Sequence, residues 1–468
     1  MIQKFEPEAG GLAMPLSQGD VAFAPTYIST VATSSTPKPK RSQWRWPEII
    51  FCLSVVACIM EGAFRKWVFS SGSIAKYLCY FSKDILFGLL VVTTWPRASI
   101  NGSDLLKKYF TWGILLFVLG AIISSAEEIN WVGAVLSTRA LLCLPVVALL
   151  ALPRLGGIKL EGFALVIGVF TAGNAALGFV QYHAAPEALI NRYASDTLGP
   201  ADMFQGVVRA AGTFSYLTGY GNMATVGAWA GLSLLCLAAG RIRYVIAGWG
   251  IYLAALICGL VSISRATVLA VGLSFVVFVL SGRHGLANLM KAGAALILVF
   301  LLSYASNLTS KFTTLADKLM ERNDMAGDTF GERTLNPITE IGYAFDVAPM
   351  GAGFGTQQVG GVYAETGLMA FRNFENQFPR LILDTGILGL AGFFITWMGL
   401  VLGMFNARND LLTEGLRRVC VLSIFLVSYL FFTNVAFNHT ASFFAYWIFA
   451  VTIAATSARG EAVVASHG

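Results

Sequence analysis

Residues Asn373–Phe405 read NFENQFPRLILDTGILGLAGFFITWMGLVLGMF. From Leu381 to Phe405 the single charged residue is Asp384. An apolar run of this length, at about 1.5 Å per helical residue, exceeds the roughly 30 Å hydrocarbon core of a bilayer. The reading is therefore a membrane-spanning helix. Glu375 and Arg380 stand at its start and Asp384 lies inside it. Ionisable groups within a membrane helix are expensive and mark functional candidates.

The rest of the chain follows the same pattern. Its 468 residues are 56% hydrophobic and 12% charged, with mean hydropathy +0.68. A soluble domain carries about 25% charged residues, so a soluble globular class is excluded. The fold class expected is an all-α polytopic membrane protein with about twelve transmembrane helices. The approximate spans are 47–64, 74–95, 109–125, 131–152, 161–182, 217–239, 244–262, 266–282, 288–306, 379–404, 419–435 and 440–457. The fourth contains Arg139.

Residues 1–46 are polar and rich in Pro, Ser and Thr, and read as a disordered cytoplasmic tail. A transmembrane bundle over 47–306 includes an outer loop at 183–216. A large, partly helical periplasmic loop occupies 307–378. C-terminal transmembrane helices fill 379–457, and a cytoplasmic tail covers 458–468. Within the large loop, KFTTLADKLMER has apolar residues at helical spacing.

The basic residues orient this plan. With the N-terminus inside, inner connections hold Arg97, Lys107, Lys108, Arg154, Lys159, Arg241, Arg243, Arg283, Arg408, Arg417 and Arg418. Short outer connections hold Arg65, Lys66 and Arg265, with Glu127 and Glu128 in another. This asymmetry follows the positive-inside rule and predicts both termini in the cytoplasm. The net charge of +6 serves topology and points to no nucleic acid. The seven cysteines fall in or beside apolar runs and read as small buried hydrophobes. The four histidines have no ligand spacing, so no metal site and no cofactor is expected.

Four stretches concentrate polar chemistry. VVRAAGTFSYLTGYGNM (Val207–Met223) sets Arg209 beside a Gly- and hydroxyl-rich turn with Tyr216. A guanidinium can hold a phosphate bidentately, and backbone N–H groups near Gly212, Gly219 and Gly221 could add donors. The alternative is an interfacial Arg that snorkels. VSISRATVLAVGL places Arg265 among Ser262, Ser264 and Thr267; the alternative there is a short-loop anchor. FGERTLNPITEIGYAFDVAPMGAGFGT carries Arg333 and a Gly-rich tight turn. In the opening stretch Arg380 and Asp384 are four apart and could pair along one helix face. Gly386 and Gly389 would allow close helix packing. Glu375 falls outside that pair, and Asn376 follows it. It is either a solvated loop carboxylate or a base.

RAAGTFSYLTGYGN, SISRATV, GERTLN, GAGFGT and ENQFPRLILDTGILGL occur in this order. Together they resemble the O-antigen ligase and polymerase superfamily of bacterial inner membranes, over roughly residues 205–392. Two positions depart from its pattern. Tyr216-Leu217-Thr218 stands where His-Pro-Asn is common, and Glu375-Asn376 where His-Asn is common. The loss of that His favours a polymerase over a ligase.

The resemblance implies a glycosyltransferase of the inner membrane with its active face in the periplasm, and arginines able to carry the leaving charge make an inverting, metal-independent displacement the expected chemistry. Donor and acceptor would be polyprenyl-diphosphate-linked oligosaccharides. A chain-length regulator and export proteins are candidate partners beside the bilayer. Arg209 and Arg265, assisted by Arg333 or Arg380, would hold the diphosphate, and Glu375 would be the base. Asn376, Tyr216 and Asp384 would support the site. Rival readings are a ligase to another acceptor and a transporter or flippase of lipid-linked sugars. A transporter should show an inverted repeat, and none is evident.

Overall fold

A computed structural model describes residues 46–69, 74–94, 104–127, 129–151, 155, 158–193, 203–204, 207–282, 339–357, 377–406, 413–433 and 438–467. The expected span at 288–306 and the amphipathic KFTTLADKLMER stretch lie outside these residues, as does the N-terminal tail.

The chain is an all-helical polytopic membrane protein. Helix α1 (Trp46–Ala63) continues through a π-helical turn (Phe64–Val68). It is followed by α2 (Ile74–Thr94) and α3 (Asp104–Ser124). Next comes one long span made of α4 (Trp131–Thr138), a second π turn (Arg139–Cys143) and α5 (Leu144–Ala151). Helices α6 (Leu160–His183), α7 (Leu217–Leu237), α8 (Ile242–Val261) and α9 (Arg265–Leu280) complete the first bundle. A short helix α10 spans 339–347. Helices α11 (Gln377–Asn406), α12 (Glu414–Thr433) and α13 (His439–His467) close the chain. Strands β1 (Met203–Phe204) and β2 (Val207–Val208) form a two-residue antiparallel pair before α7.

Among the described residues, nine helical stretches are long and apolar enough to cross a membrane. Eleven of the expected spans coincide with helices. Helix α7 falls outside the nine, for a physical reason. It is buried along nearly its whole length and carries Asn222, Thr225 and Ser233 on buried positions. A helix enclosed by α6, α8, α9, α12 and α13 need not satisfy lipid.

Lipid offers little hydrophobic drive for helices to associate, so small residues and interhelical hydrogen bonds do the work. The α3–α11 seam shows this. A Cβ on Gly113 would strike Thr396 and the Gly392 carbonyl, and one on Gly120 would strike the Thr385 carbonyl and the Gly389 backbone. Gly231 of α7 and Gly248 of α8 meet backbone to backbone in the same way. Trp229 Nε1 donates to Ser423 Oγ at 3.0 Å, and Ser423 Oγ lies 3.1 Å from Thr452 Oγ1, tying α7, α12 and α13 together. The aromatic core centres on α13, where Trp447 meets Phe51 edge-on at 4.6 Å.

Three expectations need correction. Arg65 and Lys66 do not form a connection: the helix runs on through them, and Lys66 is buried. The cysteines are all free, but only Cys58, Cys258 and Cys420 are buried, while Cys143 is exposed. Helix α13 continues to His467, past the expected end of the last span.

Candidate functional site

The segment Arg209–Tyr216 is threaded between α1, α6 and the α8–α9 turn. Two polar side chains of α6, unusual inside an apolar helix, receive it. Gln181 Oε1 accepts from Gly212 N at 2.8 Å and Ala211 N at 3.2 Å. Asn174 Oδ1 accepts from Thr213 N at 2.9 Å. From α1, Thr213 Oγ1 donates to the Ile59 carbonyl at 2.8 Å, and Lys66 Nζ donates to the Gly212 carbonyl at 2.5 Å. The segment lies so close to α1 that a Cβ at Gly62 would collide with the backbone of Thr213, Phe214 and Ser215. The Gly212 N–H is therefore committed to Gln181, and Gly219 and Gly221 are buried in α7. This corrects the expectation that these glycines offer backbone donors to a ligand.

The same segment reaches the α8–α9 turn. Ala210 N donates to the Val261 carbonyl at 3.2 Å, and Arg209 Nε donates to the Ser262 carbonyl at 3.3 Å. Ile263 follows with φ 49°, a left-handed conformation that is costly for a β-branched residue. Ser264 caps α9 by accepting from Thr267 N, and Arg265 is the first helical residue. Arg209 and Arg265, 56 positions apart in sequence (265 − 209), are thus brought to one turn. Both are half-buried. Tyr216, at the N-cap of α7, is exposed, with its ring 6.3 Å from that of Tyr193.

Sequence reasoning missed the charged cluster beside this segment. Glu61 is 8% exposed and Lys83 3%. Glu61 pairs with Arg65 at 2.9 Å and also with Lys83. Asp84 pairs with Arg139 at 3.2 Å. Arg65, Lys83 and Arg139 all surround the Tyr80 ring, at 4.9, 4.4 and 5.0 Å from its centroid. Arg139 Nη2 also donates to the Tyr80 hydroxyl at 2.8 Å. Arg65 Nη1 reaches Ser215 Oγ at 3.3 Å, linking cluster to segment. Arg65 and Lys66 lie in one π turn, and Arg139 opens the other. Such turns interrupt α-helices and often accompany function. Three cations face two carboxylates at the Tyr80 ring, so positive charge is in excess before buried Lys66 is counted. Several atoms here have no hydrogen-bond partner: Arg65 Nε, Trp67 Nε1, Arg139 Nε, Asp84 Oδ1 and both ring nitrogens of His439. Two signals were present in the sequence: the Lys83-Asp84 pair inside an apolar span, and Glu61 four residues before Arg65.

Arg380 and Asp384 do not pair. Asp384 is fully buried, and its carboxylate accepts from Ser137 Oγ at 2.7 Å and Gln357 N at 3.3 Å. Among the described residues, Glu340 on α10 is a carboxylate whose charge acts on Arg380. Donors from a neighbouring helix and from an inserted turn outcompete one cation on the same helix. Glu375, Asn376 and Arg333 lie outside the described residues. Among the described residues there is no group of three or more His, Cys, Asp or Glu that could hold a metal ion.

No protein-family model matches the chain. The chain is similar to the O-antigen polymerase of Salmonella muenchen, at 24% identity over 333 residues, covering 66% of this chain and 78% of that protein.

Proposed function

We propose that the chain is a membrane glycan polymerase, joining polyprenyl-diphosphate-linked repeat units at the periplasmic face of a bacterial inner membrane to build an O-antigen-type or exopolysaccharide chain. The observation that carries this reading is the meeting of Arg209 and Arg265 at the α8–α9 turn, flanked by the Arg65–Lys83–Arg139 cluster. Two arginines from distant segments, half-buried beside further positive charge, suit a diphosphate. The similarity to an O-antigen polymerase supports it.

The reaction is an inverting displacement. The acceptor hydroxyl oxygen forms a bond to the donor's anomeric carbon as that carbon's bond to the phosphate oxygen breaks. The electron pair leaves with the lipid diphosphate, whose growing charge Arg209 and Arg265 stabilise, assisted by Arg333 or Arg380. Glu375 takes the hydroxyl proton as general base. With arginines neutralising the leaving group, the step needs no metal. Asn376 and Tyr216 border the reacting groups.

The test is polymer length in cells and in membrane vesicles supplied with lipid-linked repeats. Glu375→Gln should lower elongation by about 10²–10⁴-fold. Arg209→Ala and Arg265→Ala should each leave single repeat units unpolymerised. Wild-type elongation in the Glu375→Gln variant removes that residue from the mechanism, and wild-type elongation in both arginine variants overturns the site.

A further inference from the structure

Helix α11 is broken at Gly386, whose φ 65° and ψ −173° are not helical. In an uninterrupted helix the Ile387 N–H would bond to the Leu383 carbonyl. Here that bond is opened and both halves are taken by the turn that follows α10. Ala352 N donates to the Leu383 carbonyl at 2.7 Å, and Ile387 N donates to the Pro349 carbonyl at 2.9 Å. Residues 349–352 are thus inserted into the helix, and a Cβ at Gly386 would collide with the Met350 backbone. The rest of the turn is fixed by α3 and α4. Gly353 N donates to Ser124 Oγ at 3.0 Å, and Asn130 N donates to the Phe354 carbonyl at 3.0 Å. At its end Gln357 presents its N–H to Asp384 Oδ1, while Asp384 Oδ2 accepts from Ser137 of α4. A donor meets each carboxylate oxygen, so the position calls for a group that accepts on both sides.

The chain leaves this turn at Gln357 and returns at Gln377, the first residue of α11. Asp384 stands seven residues into that helix (384 − 377), about 10 Å along its axis. It therefore ties the end of the 349–357 turn to the helix on which the chain returns. We infer that Asp384 is a positioning residue: it locks the 349–357 turn into the break of α11 and so fixes both ends of the stretch that bears Glu375. The inference rests on the polymerase reading for its effect on activity, but not for its effect on the turn.

The experiment uses the full-length protein in membrane vesicles. Asp384→Asn turns an acceptor-only group into one that also presents N–H to N–H, and elongation should fall by about 10²-fold, the scale of a misplacement of about 1 Å. Ser137→Ala removes the helix-side donor, leaves the bond from Gln357 N, and should lower elongation only a few-fold. The positioning role is then tested by an alternative tether. Ile129 and Phe354 are partners across a parallel bridge, where backbones run about 4.8 Å apart, within reach of a disulfide. Ile129→Cys with Phe354→Cys, oxidised by copper, should restore elongation in the Asp384→Asn and Ser137→Ala backgrounds to the level of the cysteine pair alone. A tether that forms without restoring elongation overturns the role, as does normal elongation in Asp384→Asn. If Asp384→Asn does not accumulate in the membrane, the Ser137→Ala background carries the same rescue test. If the wild-type protein elongates nothing, the polymerase reading fails, and tether yield decides the inference alone. A lower yield in Asp384→Asn supports it and an unchanged yield overturns it.

Discussion

Two buried carboxylates show opposite solutions to one problem. Glu61 is neutralised by cations, Arg65 and Lys83, in a cluster that extends to Asp84 and Arg139. Asp384 accepts from neutral donors: the backbone N–H of Gln357 and the hydroxyl of Ser137. Both avoid the large penalty of an unpaired buried charge. The consequences differ. Backbone donors fix a chain path, so Asp384 organises geometry. Cationic side chains fix a field, and the cluster leaves N–H atoms of Arg65, Trp67 and Arg139 without partners, beside the segment that carries Arg209. One site is closed on itself and the other retains unused donors.

The comparison breaks most directly at Glu61. Glu61→Gln keeps the shape and removes the counter-charge from two cations, so stability in detergent should fall by about 3–5 kcal/mol. Replacing Glu61, Arg65 and Lys83 together with methionine should instead be neutral or stabilising by about 1–4 kcal/mol, since no lone charge is left behind. Thermal unfolding measures both. If that triple variant folds and still elongates glycan, the cluster is only structural and the contrast with Asp384 disappears.

Among the described residues, hydropathy located eleven of the expected spans, because a membrane span must be long and apolar whatever its neighbours. The α3–α11 contact was legible in part, through Gly389 of the opening stretch. Arg209 and Arg265 could be picked out because each sits beside small and hydroxyl residues at a helix boundary. What failed was long-range. The pairing of Arg380 with Asp384 followed helical spacing, but Ser137, 247 positions away, and Gln357 hold the carboxylate. Arg65 and Lys66 looked like a connection because two adjacent charges usually end a span. Their enclosure depends on Glu61, on Lys83 of α2 and on the Gly212 carbonyl, and only Glu61 lies within a helical turn in sequence.

A smaller effect sharpens the other half of the comparison. Gly386→Ala places a Cβ at φ 65° and against the Met350 backbone. The conformational strain is about 1–3 kcal/mol. The insertion of 349–352 should loosen, seen as faster hydrogen exchange at Ala352 and Ile387, while exchange around Glu61 stays unchanged. Parallel loss of protection at both places would mean that the two regions form one cooperative unit.

Ring and hydroxyl can be separated at the centre of the cluster. Tyr80 contributes a face to three cations and an acceptor to Arg139 Nη2. Tyr80→Phe keeps the face and removes a hydrogen bond to a charged donor, a loss of about 1.5–3 kcal/mol at most and less if water replaces the hydroxyl. Tyr80→Leu removes both. A cation over an aromatic face is worth about 0.5–2 kcal/mol, so Leu should be the more destabilising by that margin for each contact that is desolvated. Equal unfolding temperatures for the Phe and Leu variants would show that the ring does not hold the cations. The excess positive charge would then be held by Glu61 and Asp84 alone, and the cluster would resemble Asp384 more than it differs from it.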